Sequence, residues 1–373
     1  MPFEMKALFG PLIKGFKIIG HDPEAISPNR RFSKATFCFF MFGTYLFLIH
    51  VYQVVSATKH LNYRMVLLLH GPLECLSYLS ITYNLKGMVN IIKKLELLRD
   101  KQEYKLNLKI PRQRLFWFSI FNALLITITI ISTWKLDMSD DSIKSLATTY
   151  LYYTGEMTHS VCLITKAMMI SIFFVSQVIP AYTLLFHIAI CIGIKSVCQG
   201  FMKSLKGEKE FKDLTKLHAF YKDLISIVAD YDNKMNFTML LMYTGLCLKC
   251  LRSLEGLLFA FNLDSMFENG PLFLSAITSL LVIIFPASEV HKDLFKIIKS
   301  VDFMKFRDVS FQDKCLFILK MQNHTASLTI WNLYKIDVGL LLKTLGVVIS
   351  FAVIFYETDK AASKNKLEGK EAL

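Results

Sequence analysis

Charge is scarce in this chain. Asp, Glu, Lys and Arg make up 20% of its 373 residues, below the roughly 25% of an ordinary soluble domain. Catalytic signatures are missing as well. There is no GxSxG, no HExxH and no P-loop, so the chemistries those motifs carry are excluded. His70 with Glu74, or Glu156 with His159, could imitate a catalytic pair. No nucleophile or metal set accompanies either, so no enzyme, cofactor or metal is expected. The eight cysteines lie mostly in or beside apolar runs. Cys247 and Cys250 have CxxC spacing, but no second such pair exists to complete a zinc site. Repeats and low-complexity linkers are absent. Met1 to Arg31 holds charges and four prolines but no uninterrupted apolar core. No secretory signal peptide is expected there, and the first apolar span is expected to act as the insertion signal.

What is present is apolar sequence: 53% of the residues, in several runs of nearly 20. The composition predicts an all-α polytopic membrane protein. Seven spans are expected: Thr36 to Ala57, Met65 to Tyr83, Leu115 to Trp134, one within Val161 to Ile194, Phe237 to Leu263, Pro271 to Val290, and Val338 to Tyr356. The fourth run is longer than a bilayer needs, with Pro180 in its middle as an expected kink. The last reads VGLLLKTLGVVISFAVIFY and carries one charge, Lys343. At ~1.5 Å per residue its 19 residues cover about 29 Å, close to the hydrocarbon thickness.

The net charge of +13 could suggest nucleic acid, but the basic residues lie between the spans. Alternate connections hold six, nine, eight and eight Lys or Arg; the others hold two, two, none and four. The positive-inside rule then puts the N-terminus in the cytoplasm and the C-terminus outside. A G-protein-coupled receptor has the reverse arrangement, and no Asp-Arg-Tyr-like triplet follows span three. A transporter finds no support in inverted repeats or paired broken helices. The sequons at Asn236 and Asn323 fall on the cytoplasmic side, where oligosaccharide is not added.

The inside connections are more than loops. Phe211, Leu214, Leu217, Phe220, Leu224 and Ile227 recur at helical spacing among charges. Phe303 to Leu333 shows a similar mixture (Phe311, Cys315, Ile318, Met321). Both read as helical extensions of the spans below the membrane, or as amphipathic helices on the lipid surface.

Near the outer end of the last span Ser350-Phe351 is followed by five apolar residues and Glu357. This resembles the signature of the arthropod gustatory receptors: Thr-Tyr, five hydrophobics, Gln-Phe. Each polar position is substituted here, with Thr358 in the final place. Tyr334, Ile336-Asp337, Leu341-Leu342 and Gly346 resemble the family's entry into the same helix. PLIKGFKIIG, Pro11 to Gly20, is similar to its opening segment.

The resemblance implies a seven-span, ligand-gated cation channel in the plasma membrane, assembled as a homotetramer or as a heterotetramer with related receptors. A cytoplasmic anchor would join the subunits, and the last helix would line one pore. Its division would be a cytoplasmic segment 1–35, a bundle 36–290, an anchor segment 291–337, a pore span 338–356 and an extracellular tail 357–373. Helical spacing puts Ser350, Val353, Ile354 and Glu357 on one face of that helix. Glu357 in place of Gln suggests a stronger cation preference. Phe351 lacks the hydroxyl of the motif's Tyr. Lys343 either lines the inner pore or snorkels to the inner interface.

A small organic tastant or odorant would bind in the outer half of the bundle, which points to His70, Glu74, Trp134, Tyr152, Tyr153, Glu156, His159, Phe273 and Thr278 as lining. Lys249, Arg252 and Glu255 recur at three-residue spacing in span five, as a structural pair within the bundle or a contact to the permeation path. The alternative within the same superfamily is an odorant receptor that needs a co-receptor. The lipid bilayer is the other expected partner, and nucleic acid is not one.

Overall fold

A computed structural model describes residues 61–100, 155–173, 179–207, 214–259, 263–302, 310–323, 326–330 and 332–371, with isolated helical positions between 120 and 151. Among these are seven long helices and one hairpin. They are α1 (Leu61–Asp100), α2 (His159–Phe173), α3 (Ile179–Gly207), α4 (Leu214–Phe259), α5 (Leu263–Asp302), α6 (Phe311–Asn323), β1 (Thr329–Ile330), β2 (Tyr334–Lys335) and α7 (Val338–Glu371). Four of them hold segments apolar and long enough to cross a membrane: Pro180–Lys203, Leu217–Leu258, Asn269–Val301 and Val338–Thr358. Expected span two lies inside α1. Expected span one, and span three apart from helical positions 120, 124 and 127, lie outside the described residues.

Length decides what the longer helices do. The 46 residues of α4 extend about 69 Å at 1.5 Å each, twice a hydrocarbon core. One end therefore projects well beyond the membrane. The projecting part begins with the amphipathic stretch read from the sequence: Leu217, Phe220, Leu224 and Ile227 are all buried. Around them pack Met88, Ile91 and Leu95 of α1, Phe201 of α3, and Ile297 and Val301 of α5. Phe201 and Phe220 stack with ring centroids 4.3 Å apart. α4 is thus the central post, in contact with α1, α5 and α7, while α3 packs on α5.

One expectation needs correction, and one feature was not expected. The fourth apolar run is divided between α2 and α3, with 174–178 outside the described residues. Pro180 is the second residue of α3 rather than a mid-helix kink; in a first turn the missing N–H costs no hydrogen bond. In the connection from Phe303 to Leu333, the described residues Phe311–Asn323 form α6, which carries Phe311, Cys315, Ile318 and Met321 as expected, while Thr329–Ile330, where no strand was expected, form β1. β1 and β2 pair antiparallel, Thr329 opposite Lys335 and Ile330 opposite Tyr334. Asn332, at φ 56°, lets the chain turn, since Asn tolerates the left-handed region better than most residues.

Candidate functional site

α7 is begun by its own sequence. The Asp337 carboxylate accepts the Leu340 backbone N–H at 2.9 Å, an N-cap on one of the donors a helix start leaves unpaired. Ile336, just before it, is buried, and its N–H donates to the Leu328 carbonyl at 2.9 Å. The Ile-Asp pair thus closes the hairpin with one residue and opens the helix with the next. Past Tyr356 the helix continues through Glu371, beyond its apolar part.

One side of α7 packs on α4 and α5: Leu341, Val348 and Ala352 are buried. Ser350, Val353, Ile354 and Glu357 are all exposed. At ~100° per residue they centre on the side opposite that packing stripe. The Ser350 hydroxyl donates to the Gly346 carbonyl at 2.8 Å, and Thr358 does the same to Ile354 at 2.7 Å. Both polar groups are satisfied within the helix, at little cost in an apolar setting. Only 17% of the apolar window of α7 is buried within the chain, against 83% for that of α3. A helix so apolar and so uncovered needs lipid or other protein around it.

The foot of α7 is tied to the bundle through the hairpin. Asp232 of α4 accepts the Thr329 backbone N–H at 2.6 Å and its hydroxyl at 2.7 Å. One helical turn on, Asn236 donates its amide to the Asn332 side-chain oxygen at 2.9 Å. Lys335 donates to His291 Nε2 of α5. Higher up, Tyr243 of α4 and Thr344 of α7 share a hydrogen bond. Burial lowers the Lys335 pKa, while neighbouring Asp337 acts in the opposite sense. Sequence reasoning missed Asp232 and treated Asn236 only as part of a sequon. The four-residue spacing of two short polar side chains on a helix was the available signal.

A second polar node lies inside the bundle. His187 of α3 is buried; its Nε2 reaches the Ile283 carbonyl at 3.1 Å, and its Nδ1 lies 2.7 Å from the Tyr231 hydroxyl. A carbonyl can only accept, so Nε2 carries the hydrogen and Nδ1 accepts from Tyr231. Three helices are joined by one imidazole.

The expected ligand residues are placed unevenly. His70 and Glu74 lie one turn apart on α1, and their side chains are outside the description. Trp134, Tyr152 and Tyr153 also lie outside the described residues. Glu156 and His159 are exposed at the start of α2. Phe273 and Thr278 are half-buried on α5, Phe273 against the core. In span five, Arg252 is exposed, Lys249 half-buried and Glu255 buried.

A cleft of about 480 Å³ opens at the foot of α7, lined by none of those residues. β2 and the cap contribute Tyr334, Lys335 and Asp337; α7 contributes Leu340, Lys343, Thr344, Val347 and Val348. Leu333 and Cys247 complete it.

Four helices that can cross a membrane, on a bundle extended at one end, define an all-helical polytopic membrane protein. Its fold is that of the insect olfactory receptors. The structure of olfactory receptor OR5 from Machilis hrabei in complex with eugenol superposes with a TM-score of 0.71 at 11% identity, covering 96% of this chain and 99% of that one. A second structure of the same receptor gives 0.68 at 13% identity, over 95% and 98% of the two chains. No protein-family model matches the sequence, and no curated protein does.

Proposed function

We propose that this chain is a chemosensory receptor of the gustatory type that acts as a ligand-gated, non-selective cation channel in the plasma membrane. The observation that carries the reading is α7: an apolar helix whose Ser350, Val353, Ile354 and Glu357 face directly away from the stripe that packs on its own bundle. Four such helices around an axis make a pore. Val353 and Ile354 form an apolar ring that closes by dewetting, and Glu357 forms a carboxylate ring that favours cations. A small organic ligand binds in the outer half of the bundle, where Phe273, Thr278 and the start of α2 supply aromatic and polar groups, and shifts α7. The extended inner ends of α1, α3, α4 and α5, with α6, form the anchor that joins subunits.

A second reading, an odorant receptor subunit that needs a partner chain, is favoured by the olfactory receptors it superposes on. Whole-cell current separates the two. The chain is expressed alone, beside Glu357→Gln and Glu357→Lys, and exposed to sugars, bitter compounds and volatiles. Basal or evoked cation current that Glu357→Lys suppresses supports the homomeric channel. Silence from a chain shown to be at the surface, with current restored by a related receptor subunit, supports the second reading. Silence under both conditions overturns the channel.

A further inference from the structure

We propose that the cleft at the foot of α7 binds one anionic phospholipid of the inner leaflet. Its lining changes character along the helix. At the lower end are Lys335 and Asp337, with Leu340 in the first turn of α7; Lys343 and Thr344 follow about a turn higher, and above them the wall is Val347 and Val348. Polar and cationic below, apolar above, is the profile of a phospholipid standing beside a span.

The depth fits as well. The charge count puts the start of α7 on the inside, the side where anionic lipids concentrate. Lys343 lies about 7.5 Å up the helix axis, and its long stem carries the ammonium back toward the headgroups. Lys335 and Lys343 line the cleft against one carboxylate, Asp337, which caps the Leu340 N–H; Lys335 gives one N–H to His291 and keeps two more to donate. The side is open for acyl chains: Val347, on the upper wall, is more than half exposed. The volume, about 480 Å³, is within the ordinary range for small-molecule sites. The assignment needs only the inward placement of the foot of α7, not the channel reading. If α7 does line a pore, a bound anionic headgroup offsets a Lys343 charge that would otherwise repel cations.

The test uses the full chain purified in neutral detergent, with bound lipid counted by native mass spectrometry. The probes are phosphatidylinositol 4-phosphate, phosphatidylcholine with the same acyl chains, and the soluble inositol phosphate headgroup. One high-affinity copy of the phosphoinositide per chain is expected, with little phosphatidylcholine and little soluble headgroup. Lys335→Ala with Lys343→Ala should weaken the phosphoinositide by about thirtyfold, roughly fivefold for each lysine at a membrane surface. The Arg pair should retain it, and Lys320→Ala, an exposed lysine on α6, should leave it unchanged. A monodisperse chromatographic peak and an unaltered melting temperature confirm that the variants fold; if the Ala pair does not, Val347→Trp, which fills the upper wall, replaces it and should reduce the bound copy.

Equal retention of phosphatidylcholine overturns the proposal, as does soluble headgroup binding as tightly as the lipid. So does a Lys320→Ala loss matching that of the pair, which would mean general surface charge. If the variants change the number of associated chains and leave lipid retention intact, a second copy covers the cleft and the proposal fails.

Discussion

Asp232 on α4 holds Thr329 of the hairpin by two hydrogen bonds, one from the backbone N–H and one from the hydroxyl, at 2.6 and 2.7 Å. The carboxylate is partly buried and its oxygens take both donors. Removing it leaves a backbone N–H at a helix–hairpin junction without its partner, which costs roughly 1–3 kcal/mol. Asp232→Ala is therefore expected to lower the thermal transition of the purified chain and to speed amide exchange at Thr329 and Asn332. Thr329→Val keeps the N–H bond and loses only the hydroxyl, so its effect should be smaller. Equal effects of the two substitutions would mean that the backbone bond contributes nothing.

His187 offers a similar test in the bundle. Tyr231→Phe removes the hydroxyl that donates to Nδ1 and leaves a buried acceptor unpaired. A loss of roughly 1–3 kcal/mol is expected. His187→Phe with Tyr231→Phe removes both partners, and the double variant should be destabilised by less than the sum of the single changes. Strict additivity, measured by denaturation of the detergent-purified chain, would show that the two groups do not interact.

Helical periodicity grouped Ser350, Val353, Ile354 and Glu357 on one face of α7 and found the buried Leu217, Phe220, Leu224 and Ile227 of α4. The opposing stripe of Leu341, Val348 and Ala352 was not read, because an apolar residue on an apolar span carries no contrast to mark it. The hairpin was not legible. Strands of two residues are too short to show alternation, and an Asn at positive φ has no sequence signal beyond its identity. The ties from Asp232 and Asn236 join residues almost a hundred positions apart, which local pattern cannot reach. Pro180 misled because a proline inside an apolar run reads as a kink, whereas here it falls in the first turn of a helix.

Asn236 makes a prediction about topology as well as packing. Its side chain is buried against Asn332, so a glycan cannot be accommodated there. The chain expressed in insect cells should show no mass shift on glycosidase treatment at this sequon. A glycan on Asn236 would place the foot of α4 outside the cytoplasm and reverse the orientation argued from the lysines.

Asp337 caps α7, and capping predicts which replacements are tolerated. Asp337→Asn or Asp337→Ser keeps an oxygen for the Leu340 N–H and should retain most of the stability. Asp337→Ala should cost about 0.5–2 kcal/mol, with faster exchange confined to the first turn of α7. Stability loss spread evenly along the helix would argue that Asp337 acts through something other than the cap.

The two faces of α7 separate the channel reading from a purely structural role for the helix. Cysteine replaces Ser350, Val353 or Ile354 on the exposed face, and Val348 or Ala352 on the buried one, in a background that conducts. A charged, membrane-impermeant thiol reagent is then applied from outside. In a pore the exposed-face cysteines become modified and current falls, fastest at the positions nearest Glu357 and the outer mouth. Val348→Cys and Ala352→Cys stay inert because both side chains are buried against α4 and α5. If the exposed face instead meets lipid, a charged reagent cannot reach it, and Ser350→Cys, Val353→Cys and Ile354→Cys resist modification as firmly as the buried pair. Channel opening adds a further discrimination. A gate formed by Val353 and Ile354 should slow modification of Ser350→Cys, which lies inward of both, in the closed state, and ligand should accelerate it. Equal rates with and without ligand, in a chain that conducts, would place the gate elsewhere along the helix.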